Sequence, residues 1–118
     1  MATGLKDRNL IAIIGDEESV TGMLLTGIGN VDQNQKANFF VATQNTDSSE
    51  IENTFKEYTH RKDVAIILIN QWAADKIRQV LDEYTLTFPT ILEIPSKDQP
   101  YDPTKDSVLK RVQRLFKD

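Results

Sequence analysis

The stretch "VAIILIN" (Val64 to Asn70) decides how this chain folds. Its only polar residue is the last, and Val64, Ile66, Ile67 and Ile69 are β-branched. A strand with one wet face would alternate apolar and polar residues. Near-continuous apolarity over so short a run instead suits a strand covered on both faces. Three other runs share this character: "LIAIIG" (Leu10 to Gly15), "NFFVAT" (Asn38 to Thr43) and "FPTILEI" (Phe88 to Ile94). They predict four buried parallel strands.

The intervals between them carry helical spacing. Val20, Met23, Leu24 and Leu25 follow the first run, Ile51, Phe55 and Tyr58 the second, and Ile77, Val80, Leu81 and Tyr84 the third. Each interval is long enough for the crossover helix that parallel strands need. Asp47 or Ser48 is placed to cap the second helix. The expected class is α/β: a four-stranded parallel sheet flanked by helices, Rossmann-like or receiver-like in topology, with a separate C-terminal helix. The predicted organisation is a globular domain over 1–94, a polar proline-containing linker over 95–103 and an amphipathic basic helix over 104–118. The chain shows no internal repeat or low-complexity segment.

Composition narrows the chemistry. A chain of 118 residues, 39% hydrophobic and 27% charged, suits one soluble globular domain. No apolar run approaches the roughly 18 residues that span a bilayer, and "MATGLKDRN" lacks the apolar core of a signal peptide, so a cytoplasmic or peripheral location without membrane insertion is expected. With no cysteine, disulfides, thiolate catalysis and zinc-thiolate sites are excluded. A net charge of −4 argues against nucleic-acid binding, which needs a basic footprint.

Four features invite a sharper reading. "IIGDEES" sets Asp16, Glu17 and Glu18 just past the first strand, where an α/β sheet binds ligands and where a receiver domain holds Mg²⁺. A receiver also needs an aspartate at the end of the third strand, and this chain has Asn70. Acidic residues favourably placed at a helix N-terminus are the simpler account, and a receiver-like Mg²⁺-binding signalling domain is the alternative function. "TGIGN" (Thr26 to Asn30) follows a helix and lacks the ending of a phosphate loop, so Gly27 and Gly29 read as a helix end and turn that expose Ile28. His60, in "YTHRKD", has no catalytic partner implied by spacing, and Trp72 is expected in the core. No catalytic, cofactor-binding or metal site is expected.

The tail differs from the body. From Thr104 onward five basic residues oppose two acidic ones, a charge of +3 against −7 for the remainder. Asp102 and Pro103 make a helix entrance. Val108, Leu109, Val112, Leu115 and Phe116 then recur at i, i+1, i+4, i+7 and i+8, drawing one apolar stripe flanked by Lys110, Arg111, Arg114 and Lys117. "PSKDQPYDP" is a polar spacer reaching about 3 Å per residue if extended, enough to carry the helix clear of its domain. Three destinations compete for the stripe, the body's own sheet, a membrane surface and the helices of another protein, and the spacer favours the last.

"FPTILEIPSKDQPYDPTKDSVLKRV", with "LIAIIGDEESVTGMLLTGIGNV", "NFFV" and "AIILINQ", resembles the F subunit of the eukaryotic vacuolar-type proton-pumping ATPase (V-ATPase) in a fungal form, over nearly the whole chain. The resemblance implies a non-catalytic component without cofactors, in the central rotor stalk of the V1 sector, bound to the coiled coil of the D subunit. It implies the A and B subunits of the catalytic hexamer as further partners and the membrane-sector rotor reached through the d subunit. It also implies a place on the cytosolic face of the vacuolar or other endomembranes. Carried over to this chain, stalk contacts fall on Ile28 and Val31, on Ile94, Pro95, Ser96 and Lys97, and on Arg111, Val112, Leu115 and Phe116. Gln99, where a histidine is common, and Trp72, where a polar residue often follows Asn-Gln, depart from the family pattern.

Overall fold

The computed structural model describes residues 8–27 and 37–116. Four strands, β1 (Leu10–Gly15), β2 (Phe39–Val41), β3 (Val64–Asn70) and β4 (Thr90–Ile94), form one sheet in the order β2-β1-β3-β4, and every pairing is parallel. All four apolar runs therefore became strands, with β2 losing Asn38 and the Ala42-Thr43 end of its run and β4 beginning only after Phe88 and Pro89.

The order explains the layers. The chain steps one way from β1 to β2 and the other way from β2 through β3 to β4. Right-handed crossovers then put the first connection on one face and the later ones on the other. The first helix, α1 (Glu17–Leu25), packs on β1 and β2, burying Val20. Three helices, α2 (Ser48–His60), α3 (Gln71–Lys76) and α4 (Arg78–Glu83), make the second layer. Its core joins Ala12, Ile14, Ile67, Ile69 and Ile91 of the sheet to Ile51, Phe55 and Tyr58 of α2 and to Trp72, Ile77 and Leu81. Each fully buried large side chain contributes about 1.5–3 kcal/mol. Phe55 is anchored further by an edge-to-face contact with Tyr84, ring centroids 5.8 Å apart.

Local details follow from single residues. Gly27 ends α1 at φ +92°, a conformation glycine adopts without strain, as expected from "TGIGN"; Gly29 lies outside the described residues. Asp47 is the N-cap residue of α2, though its side chain makes no capping hydrogen bond. The third helical segment is divided rather than continuous. At Ile77 the backbone leaves helical geometry (φ −125°, ψ 32°) and its N–H takes the carbonyl of Ala74 at 3.0 Å, so α4 begins at Arg78.

Candidate functional site

The site grows from the exit of β4. Asn70, at the end of β3, donates through Nδ2 to the carbonyl of Pro95 at 3.2 Å, and Ser96 N–H reaches the carbonyl of Gln99 at 3.0 Å, closing a turn. Lys97 stands in solvent 4.0 Å from Glu18, an exposed pair that contributes little. The next stretch is fixed by Gln71, the first residue of α3. Its amide accepts from Asp102 N–H at 2.6 Å and donates to the Asp102 carbonyl at 2.8 Å. The predicted helix entrance at Asp102 and Pro103 opens only one 3₁₀ turn (Pro103–Lys105). The Asp102 carboxylate accepts from the Thr104 hydroxyl (2.6 Å) and N–H (3.0 Å), which hold its pKa below the usual value.

The final helix, α5 (Ser107–Phe116), starts two residues past the end of that turn, three past the expected start at Thr104, and under a different cap. Buried Asp106 accepts from Val108 N–H (3.0 Å) and Leu109 N–H (3.1 Å) through one oxygen and from the Tyr101 hydroxyl (2.6 Å) through the other. That last bond, more than burial, pushes the Tyr101 phenol up to about 12. Behind the junction lies Glu93 of β4, its side chain 1% exposed. It accepts from Gln71 Nε2 (2.9 Å), from Arg78 Nη1 (2.6 Å) and from Ser107 N–H (3.4 Å). Arg78 also pairs with Asp75, and Ser107 Oγ donates to Asp82 at 2.5 Å. Burial disfavours the Arg78 cation, and the bonds to Glu93 and Asp75 outweigh that, so its pKa is raised. A carboxylate taken out of water would be costly unpaired; here three donors meet it.

The stripe of α5 divides between two surroundings. Val108 packs against the core and Arg111 donates to the carbonyl of Leu81 at 3.2 Å, so the first half of the helix lies on α4. Beyond it Val112 is 40% exposed, Leu115 79% and Phe116 85%. The helix expected to be carried clear of the domain is thus rooted on it, and only its second half is free. The reason is the polar clamp at Asp102 and Ser107, which shortens the reach of the proline-containing stretch. Of the residues predicted for partner contact, Ile94, Pro95, Ser96 and Lys97 gather at the β4 exit and Val112, Leu115 and Phe116 at the helix end. Ile28 and Val31 lie outside the described residues. Gln71, Arg78 and Glu93 were not singled out from sequence, although a lone carboxylate inside "TILEI" was the available signal: an acid in a buried strand needs a partner.

A family profile described as ATP synthase (F/14-kDa) subunit matches residues 11–112. The F subunit of the V-type proton ATPase of Neurospora crassa is 56% identical over 94% of this chain and 92% of its own length. The chain belongs to the V-type ATPase F-subunit family. Its relatives include the F subunits of Vanderwaltozyma polyspora, 57% identical over 92% of this chain and 94% of that one, and of Homo sapiens, 50% identical over 91% and 90%. The F subunit of the V-type ATP synthase from Archaeoglobus fulgidus shares the fold, with a TM-score of 0.53 at 22% identity over 74% of this chain and 98% of that one. An F subunit has other V-type ATPase subunits as its partners, and among the described residues no helix is long and apolar enough to cross a membrane.

In this F-subunit fold the crevice at the carboxyl ends of the strands, about 220 Å³, is lined by Asp16, Glu17, Thr43, Trp72, Ser96 and Asp98 among others. Asp16 caps α1, accepting from Ser19 N–H at 2.7 Å. Asn70 fills the place a phosphoacceptor would take. Its carbonyl oxygen accepts from Asp16 N–H at 2.7 Å and its Nδ2 donates to Ser19 Oγ at 3.1 Å as well as to Pro95. A Cβ at Gly15 would overlap the Asn70 side chain, so glycine is needed there for close approach. Trp72 is 9% exposed and belongs to the core, with Lys76 Nζ 5.7 Å from its ring centroid. Among the described residues no group of three or more His, Asp or Glu is placed to hold a metal ion.

Proposed function

We propose that this chain is a non-catalytic component of the central rotor stalk of the V1 sector, docked on the coiled coil of the D subunit, and that it helps couple ATP hydrolysis on the A and B subunits to rotation and proton transport. In this reading it sits on the cytosolic face of the vacuolar or other endomembranes and connects to the membrane-sector rotor through the d subunit. The observation that carries the reading is the exposed apolar half of α5: Val112, Leu115 and Phe116 lie on one face of a helix whose other half is already packed.

A rotor component must be held tightly and in register. Covering roughly 300 Å² of apolar surface contributes about 7 kcal/mol at about 25 cal/mol/Å², before the costs of association. Lys110 and Arg114, on the flanks, supply charge that a partner's acidic residues fix in register. The β4 exit (Ile94, Pro95, Ser96 and Lys97), Ile28 and Val31 form the remainder of the proposed contact. Arg111 contributes from the boundary, with one nitrogen held by Leu81.

Affinity isolation from cells tests this, comparing the tagged chain with a Leu115→Asp/Phe116→Asp double variant and identifying co-purified proteins by mass spectrometry. The D, A and B subunits are expected with the unaltered chain, and at least 10-fold less of them with the variant. Equal recovery would assign the contact to the globular body, and recovery of no ATPase component by either chain would overturn the reading.

A further inference from the structure

Two buried side chains outside the proposed contact surface, Gln71 and Glu93, bond to the stretch that leads into α5. We propose that Gln71 and Glu93 are positioning residues that fix the direction of the exposed half of α5 relative to the sheet, so that the free chain already presents its apolar stripe in one orientation. The inference deepens the stalk-docking reading and rests on it for its purpose, although the geometry concerns this chain alone.

Gln71 closes a two-way bridge on one residue of the connecting stretch, donating to the Asp102 carbonyl and accepting from its N–H. A side-chain amide used in this way fixes both the distance and the orientation of a backbone unit, as a strand neighbour would. Glu93 then ties that amide to the helix itself. One carboxylate oxygen accepts from Gln71 Nε2 at 2.9 Å, and the other accepts from Arg78 at 2.6 Å and from Ser107 N–H at 3.4 Å. Ser107 is the first residue of α5, and its hydroxyl is held in turn by Asp82 of α4. The helix is therefore restrained at its start from β4, α3 and α4 together. A stretch with Pro95, Pro100 and Pro103 and no such restraint would let the helix sweep a wide cone. Helical stiffness carries the restraint from Ser107 outward to Leu115 and Phe116. A partner then meets a stripe whose ordering cost is already met within the domain.

The chain has no cysteine, so spin labels at Glu57→Cys on α2 and Gln113→Cys on α5 report one body-to-helix distance by electron double resonance. The labelled chain should give a single narrow distance distribution. Gln71→Ala and Glu93→Gln should each broaden it at least 2-fold, while Lys105→Ala, at an exposed pair 3.9 Å from Asp75, should leave it unchanged. Urea unfolding of each labelled chain establishes that the domain remains folded, and if Glu93→Gln does not fold, Gln71→Ala carries the comparison. A broad distribution in the unaltered chain, or a distribution equally narrow in folded Gln71→Ala, overturns the proposal. Titration of the purified D subunit separates this inference from the function it serves. Gln71→Ala keeps the whole stripe and should weaken binding about 3–10-fold. Broadening with no binding of the D subunit by any version would uphold the clamp and remove the stalk-docking reading.

Discussion

The two halves of α5 carry one stripe and meet opposite surroundings. Val108 packs on the core, and seven residues later Leu115 stands 79% exposed. Their chemistry is alike, so their fates cannot be set by hydrophobicity. They are set by what precedes them: Asp106 and Ser107 are buried and bonded to Tyr101, Glu93 and Asp82, which pins the first turn on α4. The helix runs past the edge of the layer that holds it. An amphipathic pattern says that a face will be covered, and the anchors on either side decide by what.

The sharpest way to break that contrast is to truncate one aromatic in each setting. Phe55→Ala, in the core, should cost about 3–5 kcal/mol in urea unfolding, whereas Phe116→Ala should change stability by less than about 0.5 kcal/mol. A comparable loss at both would mean that the end of α5 packs on its own domain. Next in size is Glu93→Ala. It removes the buried acceptor shared by Gln71, Arg78 and Ser107 N–H, leaving Arg78 only its pair with Asp75, and should cost about 2–3 kcal/mol, read as a lower unfolding midpoint with an unchanged slope. Removing the cap with Asp106→Ala should cost about 1 kcal/mol and, unlike the core change, should show itself as lost helical circular dichroism from α5.

The smallest effect is in alkali. Tyr101 is raised from 10.0 to about 12 through its bond to Asp106, and Tyr58 and Tyr84 are raised to about 12 by burial. In each case the folded state holds the proton more tightly than the unfolded chain. Stability is full below pH 10 and is lost as pH rises from 10 toward 12. Tyr101→Phe should remove only the share belonging to the junction, so its unfolding midpoint should fall less between pH 9 and about pH 11 than that of the unaltered chain. Identical slopes would show that the Tyr101–Asp106 bond is not kept in solution.

Most of the fold was legible because it rests on short-range patterns. Continuous apolar runs bounded by turns read as buried strands, and β1 and β3 fell where the sequence put them. The break at Ile77 left no such trace, since Ile77 itself opens the helical spacing it shares with Val80, Leu81 and Tyr84. The tail was legible in part. Its stripe was readable from Val108, Leu109, Val112, Leu115 and Phe116, but which half would be covered was not, because the proline-containing stretch read as a free spacer. What ties it down, Gln71 to Asp102 and Glu93 to Ser107, pairs residues 31 and 14 positions apart. Periodicity carries no information about such pairs, and only the misplaced polarity of Glu93 inside an apolar strand hinted that something must meet it.

Amide hydrogen exchange along α5, measured on the free chain and with the D subunit proposed as its partner added, tests the division of the stripe most directly. Protection in the free chain should fall from the root, near Lys110, toward Leu115 and Phe116, and binding should raise it at least 10-fold from Val112 onward while leaving the root nearly unchanged. Uniform protection along the free helix, or no gain beyond Val112 on binding, would contradict it.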